Sequence, residues 1–330
     1  MPSSPSKPSS STLHATILPG NNHEMLVEAL ERRPWWRRNE EPTTDSDLWW
    51  GGNGQPFDWT NGTAKLINKM SVHSEICVKH KLATNIRRYA RAAKIDVSTL
   101  VPVSFVLVAG SANAQIAEIT AFRDAAAARG AKIWIVKPGS GNRGHGIKLC
   151  SNARAVEAHL AKQKVGSSFV VQQYIERPYL IDGQRKFDIR QFVLCTAPEY
   201  AVYMYRDSYV RTCSGIYDAD NPDDLSLHLT NDFVQKTLPT FGQYEDGNKM
   251  SFEQLQQRFD AIPLDDGRIL SFEDEVWPAM RRIISHVFCM AIPIYRSAPS
   301  RGRSFELYGL DFMVTADGRV LLIEINTSPA

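Results

Sequence analysis

Residues 134–147 read WIVKPGSGNRGHGI, a short apolar run that ends in Lys137 and Pro138 and is followed by four glycines within eight residues. Glycine permits positive φ and close backbone approach, so such a loop can turn its N–H groups toward phosphate oxygens. Three known phosphate loops nearly fit. Residues 139–144, GSGNRG, satisfy the dinucleotide spacing GxGxxG. That fingerprint requires a helix directly after the loop, and HGIKLC at 145–150 reads as strand instead. Gly139 and Gly144 also have Walker A spacing, but His145 stands where that loop needs lysine. A protein-kinase loop lies between two strands, yet the chain has neither HRD nor DFG, and its lysine precedes the loop. What remains is a strand–lysine–glycine loop–strand hairpin suited to covering phosphates, with a plain flexible-tipped hairpin as the alternative.

Outward from this hairpin the pattern is α+β. Helices are expected over residues 75–94, 114–129 (closed by Gly130) and 153–164. Strands are expected over 103–108, 132–136, 147–150, 169–174, 187–195, 200–206, 305–314 and 320–325, the last two joined by an Ala316-Asp317-Gly318 turn. The strands around the motifs suit antiparallel pairing rather than βαβ alternation. Residues 1–20 are Ser/Pro-rich and expected to be disordered. Residues 21–61 read as helix and loop.

The C-terminal hairpin carries a second constellation. Asp311 emerges from FELYGLDF, and Glu324 and Asn326 stand two apart in EIN, on one face of a strand. Oxygen donors without His or Cys suit a hard cation such as Mg²⁺. The alternative is an exposed polar face, but the flanking LLI and FMV runs are core-like, and carboxylates leaving buried strands need a partner. In KFDIR, Lys186, Asp188 and Arg190 share one strand face, and Arg211 follows on a later strand. Arginine is suited to gripping a carboxylate through two N–H groups.

The chain has 330 residues, 43% apolar and 22% charged, with a formal net charge of +2, so overall charge points to neither nucleic acid nor membrane. Two basic clusters, RRPWWRR at 32–38 and RRYAR at 87–91, read equally as solvated faces with the tryptophans packed inward or as surfaces for an acidic partner. Five scattered cysteines without a CxxC pair argue against zinc and disulfides and for a reducing compartment. The N-terminal MPSSPSKPSSST has no apolar core, and VPVSFVLVAG at 101–110 is too short to span a bilayer, so a soluble intracellular protein without membrane insertion is expected.

Five stretches, KIWIVKPGSGNRGHGI, VVQQYIERPYLIDGQRKFDIRQF, YRDSYVRT, HLTND and FELYGLDF with LLIEINTSP, occur in an order that resembles the tubulin tyrosine ligase-like family from about residue 66 onward. The resemblance implies an ATP-grasp fold whose central and C-terminal lobes enclose ATP. It divides the chain into a tail (1–20), an N-terminal region (21–125), a central lobe with the phosphate loop (126–180) and a C-terminal lobe with the Mg²⁺ site (181–330). The chain stops just after EIN, so the C-terminal lobe is expected to be truncated and to lack a last helix. By resemblance, Lys137 and the loop residues Arg143, Gly144, His145, Gly146 and Ile147 cover the phosphates, with Lys79 reaching them too. Gln172, Gln173, Tyr174 and Ile175 form the linker that reads adenine, and Lys186, Asp188, Thr230 and Asn231 also contact nucleotide. Arg190 and Arg211 bind the incoming amino acid's carboxylate, Asp311, Glu324 and Asn326 hold Mg²⁺, and Arg190 and Glu324 are the catalytic pair.

The resemblance further implies an ATP-dependent ligase that adds a free amino acid, glutamate or glycine, to carboxylates of tubulin tails through an acyl phosphate. Its setting would be the cytoplasmic cytoskeleton, including cilium or basal body. Acidic tails would give the basic clusters a use. The alternatives are an ATP-grasp ligase for a non-tubulin substrate and a nucleotide-binding, microtubule-associated module without turnover.

Overall fold

The computed structural model describes residues 12–21, 23–52, 57–59, 61–110, 115–128, 133–141, 144–298 and 303–329. Its first strand, β1 (Leu13–Ile17), falls inside the stretch expected to be a disordered tail. Ala15 and Ile17 are buried, packed in one cluster with Leu26, Val27, Leu30, Leu48 and Phe305, which the composition of the tail does not reveal. Helix α1 (His23–Glu31) leads to β2 (Trp36–Arg38), and β3 (Leu48–Trp50) and β4 (Leu66–Ile67) follow. β1 pairs in parallel with β2 and β3, and β3 with β4. Residues expected to be helix and loop therefore form a small parallel unit. In it Arg37 and Arg38 are exposed, while Trp35 and Trp36 are only half-buried.

The helix expected over 75–94 is two helices. α2 (Ser74–Cys77) stops at Val78, whose φ −83°, ψ 119° is extended, and α3 (Lys79–Ala93) restarts. Amphipathic spacing continues across the break, so periodicity cannot show it, but the break places Lys79 at a helix start. β5 (Ser104–Val108) and α4 (Ile116–Ala128) come next; Gly130 lies outside the described residues.

The glycine-rich hairpin forms as read from the sequence. β6 (Trp134–Pro138) pairs antiparallel with β7 (Lys148–Cys150), α5 (Ala153–Leu160) follows, and β8 (Ser168–Gln173) lies between β5 and β6 in a four-stranded antiparallel sheet. Alternation divides its faces. Trp134 and Val136 pack with Phe122, Val156 and Leu160 of α4 and α5. Ile135 and Lys137 point the other way, into a cleft.

Across that cleft stand β9 (Arg185–Thr196), β10 (Ala201–Met204) and β11 (Tyr209–Ile216), then the short α6 (Asp232–Gln235), β12 (Lys249–Met250) and α7 (Phe252–Ala261). A π-helical turn at Phe272–Val276 opens α8 (Trp277–Ser297), which precedes β13 (Arg303–Val314) and β14 (Val320–Thr327). β13 lies antiparallel to both β9 and β14 and parallel to β4, so the N-terminal unit extends the same sheet. Phe187, Ile189, Leu310, Phe312, Leu322 and Ile325 pack on Val287 and Phe288 of α8 in the main core. The intervening residues face the cleft.

Candidate active site

A cleft lies between the two sheets. Its floor on the four-stranded side is Ile135, Lys137 and the linker Gln172–Ile175; opposite are Lys186, Asp188, Arg211, Thr230, Asn231, Asp311 and Glu324. Thus most residues singled out from sequence, although scattered over some 245 positions between Lys79 and Glu324, meet in one space. Three do not line it: Arg190, Gly146 and Asn326. Arg143 lies outside the described residues.

The loop closes one end. Gly144 (φ 78°) and Gly146 (φ 70°) are left-handed, and a Cβ on Gly146 would come within 2.8 Å of the Pro138 ring. Only glycine suits that position. Lys79, at the start of α3, donates to the Gly141 carbonyl at 2.8 Å and meets a Glu324 carboxylate oxygen at 3.2 Å, so one ammonium joins loop and acidic strand. Lys137 is buried and donates to Gln172 Oε1 at 2.9 Å. Burial pulls its pKa down to about 8, against the opposing field of Glu324.

The other end is apolar. Ile133, Ile135, Ile147, Leu149, Tyr174 and Leu229 pack together there. Lys186 donates to the Tyr174 hydroxyl at 2.8 Å and to the His228 carbonyl at 2.9 Å, and burial lowers its pKa to about 8 as well. The N–H groups of Gln173 and Tyr174 are taken by the carbonyls of Val103 and Ile133. These two N–H groups are therefore satisfied within the protein. His228, whose ring meets the Tyr174 hydroxyl at 2.9 Å, was not singled out from sequence. Its signal was present in HLTND, where it stands two residues before Thr230.

The charged centre depends on a β-bulge. Asp311 pairs with Glu324 but Phe312 pairs with Leu322, so Ile323 is an extra residue in β14. Strict alternation would put Glu324 on Leu322's face, in the core. The bulge turns Glu324 into the cleft beside Asp311 while Leu322 and Ile325 both stay buried. Asn326 then places its amide 3.1 Å from Glu324 and 3.3 Å from Asp311. Burial alone would raise the Glu324 carboxyl, but the Lys79 and Lys137 ammoniums and the Asn326 amide hold it well below the usual carboxylate range.

Asp311 is already gripped. Arg190 donates to it through Nε at 2.5 Å and through its terminal nitrogen at 3.2 Å, and Arg211 does so at 2.7 Å. Arg211 also holds both carboxylate oxygens of Asp188, through Nε at 2.8 Å and through its terminal nitrogen, and Thr230 donates to Asp188 at 2.7 Å. The two arginines assigned from sequence to a substrate carboxylate thus lie on protein carboxylates here.

A model of the tubulin-tyrosine ligase family matches residues 58–330. The chain belongs to the tubulin-tyrosine ligase family. Its fold is α+β and of the ATP-grasp kind, with the two sheets as the jaws. Among similar proteins, Tubulin glycylase 3A of Drosophila melanogaster is 38% identical over 204 residues, 60% of this chain and 20% of that protein. Tubulin glycylase 3E of Tetrahymena thermophila is 34% identical over 209 residues, 60% of this chain and 14% of that protein. The Inactive polyglycylase TTLL10 of Homo sapiens is 33% identical over 219 residues, 60% of this chain and 31% of that protein. The matched stretch thus spans less than a third of each of these relatives.

The residues present fit a hard cation. Two carboxylates and one amide converge from β13 and β14, and the Asn326 amide, turned end for end, presents oxygen. Among the described residues, no group of three or more His, Cys, Asp or Glu side chains forms a metal site, so the set depends on Asn326. No helix among the described residues is long and apolar enough to cross a membrane.

Proposed function

We propose that the cleft binds ATP and joins a free amino acid, glycine in preference to glutamate, to a side-chain carboxylate on a tubulin tail. The observation that carries this reading is the cleft itself: buried Lys137 and loop-bound Lys79 face the Asp311–Glu324–Asn326 set, next to paired arginines. The glycylase names of its relatives favour glycine. The action would be on the cytoskeleton, with microtubule tails as partner.

The chemistry follows from what each group can do. A carboxylate acylates poorly until a phosphoryl group replaces its charge, so positioning and charge neutralisation dominate. An acceptor carboxylate oxygen attacks the γ-phosphorus of ATP, the bond to ADP breaks, and an acyl phosphate forms. The amine then attacks the acyl carbon, its C–O bond to phosphate breaks, and an amide and inorganic phosphate result, with one proton leaving the nitrogen. Lys79 and Lys137 would lie against the phosphates and the Ile135–Leu229 end against the base. Arg190 and Arg211 would orient the amino acid's carboxylate, and Asp311, Glu324 and Asn326 would hold Mg²⁺. When bound, Mg²⁺ neutralises charge on the transferring phosphoryl group.

The reading is tested by offering tubulin, ATP and labelled glycine or glutamate to the protein. Glycine incorporation that requires ATP is expected. ATP binding with no incorporation would instead favour nucleotide binding without turnover, a reading that a relative named inactive also suggests. Incorporation into other proteins but not tubulin would favour a different acceptor.

A pH effect follows from the lysines. Lys137 and Lys186 titrate near 8 instead of 10.5, so each costs stability in full below about pH 8, a cost relieved as pH rises toward 10.5. A polyanion beside them favours the charged forms. ATP binding at pH 8 should therefore take up protons and weaken above that pH. Calorimetry in buffers of different ionisation enthalpy checks this; a binding enthalpy independent of buffer would contradict it.

A further inference from the structure

Gly309 lies in β13 opposite Phe192 of β9 and Asn326 of β14, two residues before Asp311 and on the same strand face. A Cβ there would stand 2.9 Å from Arg190 Cδ, 3.3 Å from its Nε and 2.7 Å from Pro329 Cβ. The stem of Arg190 therefore lies directly on the bare backbone of Gly309, and buried Pro329 closes the other side. Pro329 reaches that place because Ser328 turns the chain with φ 44°, a left-handed conformation costly for serine. The Ser328 carbonyl accepts from Asn21 Nδ2 at 3.1 Å, which ties the turn to the loop after β1.

We infer that Gly309 and Pro329 form a socket that fixes the direction of Arg190. They are positioning residues for the amino-acid carboxylate, an assignment that rests on the function proposed above. The guanidinium meets Asp311 only if the stem crosses β13 flat, because its Nε, close to the stem, makes the 2.5 Å contact. A side chain at 309 lifts that stem. A small wall at 329 lets it swing. The socket also gives the N-terminal unit a route to the site, through Asn21 and Ser328.

Gly309→Ala, Pro329→Gly and the double variant test this. The first readout is the Arg190 Nε–H resonance, assigned with Arg190→Lys. It should exchange slowly in the wild-type protein and lose that protection in Gly309→Ala and in Pro329→Gly. The second is incorporation kinetics: Gly309→Ala should raise the KM for glycine about tenfold or more, with ATP affinity within about twofold. Pro329→Gly removes the 2.7 Å contact but leaves the 2.9 Å contact with Arg190 Cδ, so Gly309→Ala should still displace the stem in that background. An unchanged Arg190 resonance overturns the socket, and so does a parallel loss of ATP affinity and glycine saturation. If Gly309→Ala does not fold, Pro329→Gly alone decides through the resonance. A wild-type protein that incorporates no amino acid refutes the proposed ligation, while the resonance still decides the socket.

Discussion

Glu324→Gln should lower ATP-dependent amino-acid incorporation roughly a hundredfold to a thousandfold while leaving the fold intact, as read by initial rates and circular dichroism. Size and shape are conserved, so the change removes charge and one oxygen donor. Glu324 is the carboxylate that faces both Lys79 and Lys137, at 3.2 Å from the former. Lys137 is buried, and Glu324 is the strongest influence keeping its ammonium charged. In the variant Lys137 should titrate lower still, and the proton uptake on ATP binding at pH 8 should grow. Lys79 would lose one of its two anchors and retain the Gly141 carbonyl. Activity within about threefold of wild type would remove Glu324 from the chemistry.

The second large effect concerns stability. Arg211 bridges Asp188 and Asp311, and all three are buried. Arg211→Ala leaves Asp188 to the Thr230 hydroxyl and Asp311 to Arg190 and Asn326. Breaking a buried pair from one side costs about 3–5 kcal/mol, because the remaining charge is stranded. A fall in Tm of roughly 10 °C is expected. By contrast, Arg206→Ala breaks only the exposed Arg206–Glu273 pair and should cost less than about 1 kcal/mol. Burial already raises the Asp311 carboxyl, and Arg190 and Arg211 hold that rise in check. Without Arg211 it rises further. A carboxyl whose folded pKa exceeds its unfolded value destabilises fully above the folded pKa and not at all below the unfolded one. The deficit of Arg211→Ala should therefore be largest near neutral pH and shrink as pH falls toward 4. Equal melting of Arg211→Ala and Arg206→Ala at pH 7 would contradict the buried bridge.

What the sequence reveals divides along physical lines. The β6–β7 hairpin and the β13–β14 hairpin are local, each pairing two apolar strands that are neighbours in sequence, and both form where expected. Lys186, Asp188 and Arg190 share a face because β9 alternates without interruption, with Phe187 and Ile189 in the core. The bulge at Ile323 is different. It is set by register against β13, and without it the alternation of LLIEIN would bury Glu324 with Leu322. The break at Val78 is likewise invisible to a helical period, yet it gives Lys79 its position. The parallel strands β1 to β4 are two to five residues long and are stabilised by one another and by β13, so local composition says little about them. Helices α7 and α8 lie outside the motifs, and what they contribute is the core beneath the charged strand faces. Arg190 shows the limit of motif reading. Its type and place suit a carboxylate grip, and only the folded chain shows it already resting on Asp311 over Gly309.

The central claim is that the cleft activates a carboxylate by phosphoryl transfer. It is tested most directly by labelling the acceptor carboxylates of a tubulin-tail peptide with ¹⁸O and turning the protein over with ATP, Mg²⁺ and glycine. Phosphate that carries one ¹⁸O per amide formed is the predicted result. Amide formation with unlabelled phosphate, or with the label in AMP, would contradict it.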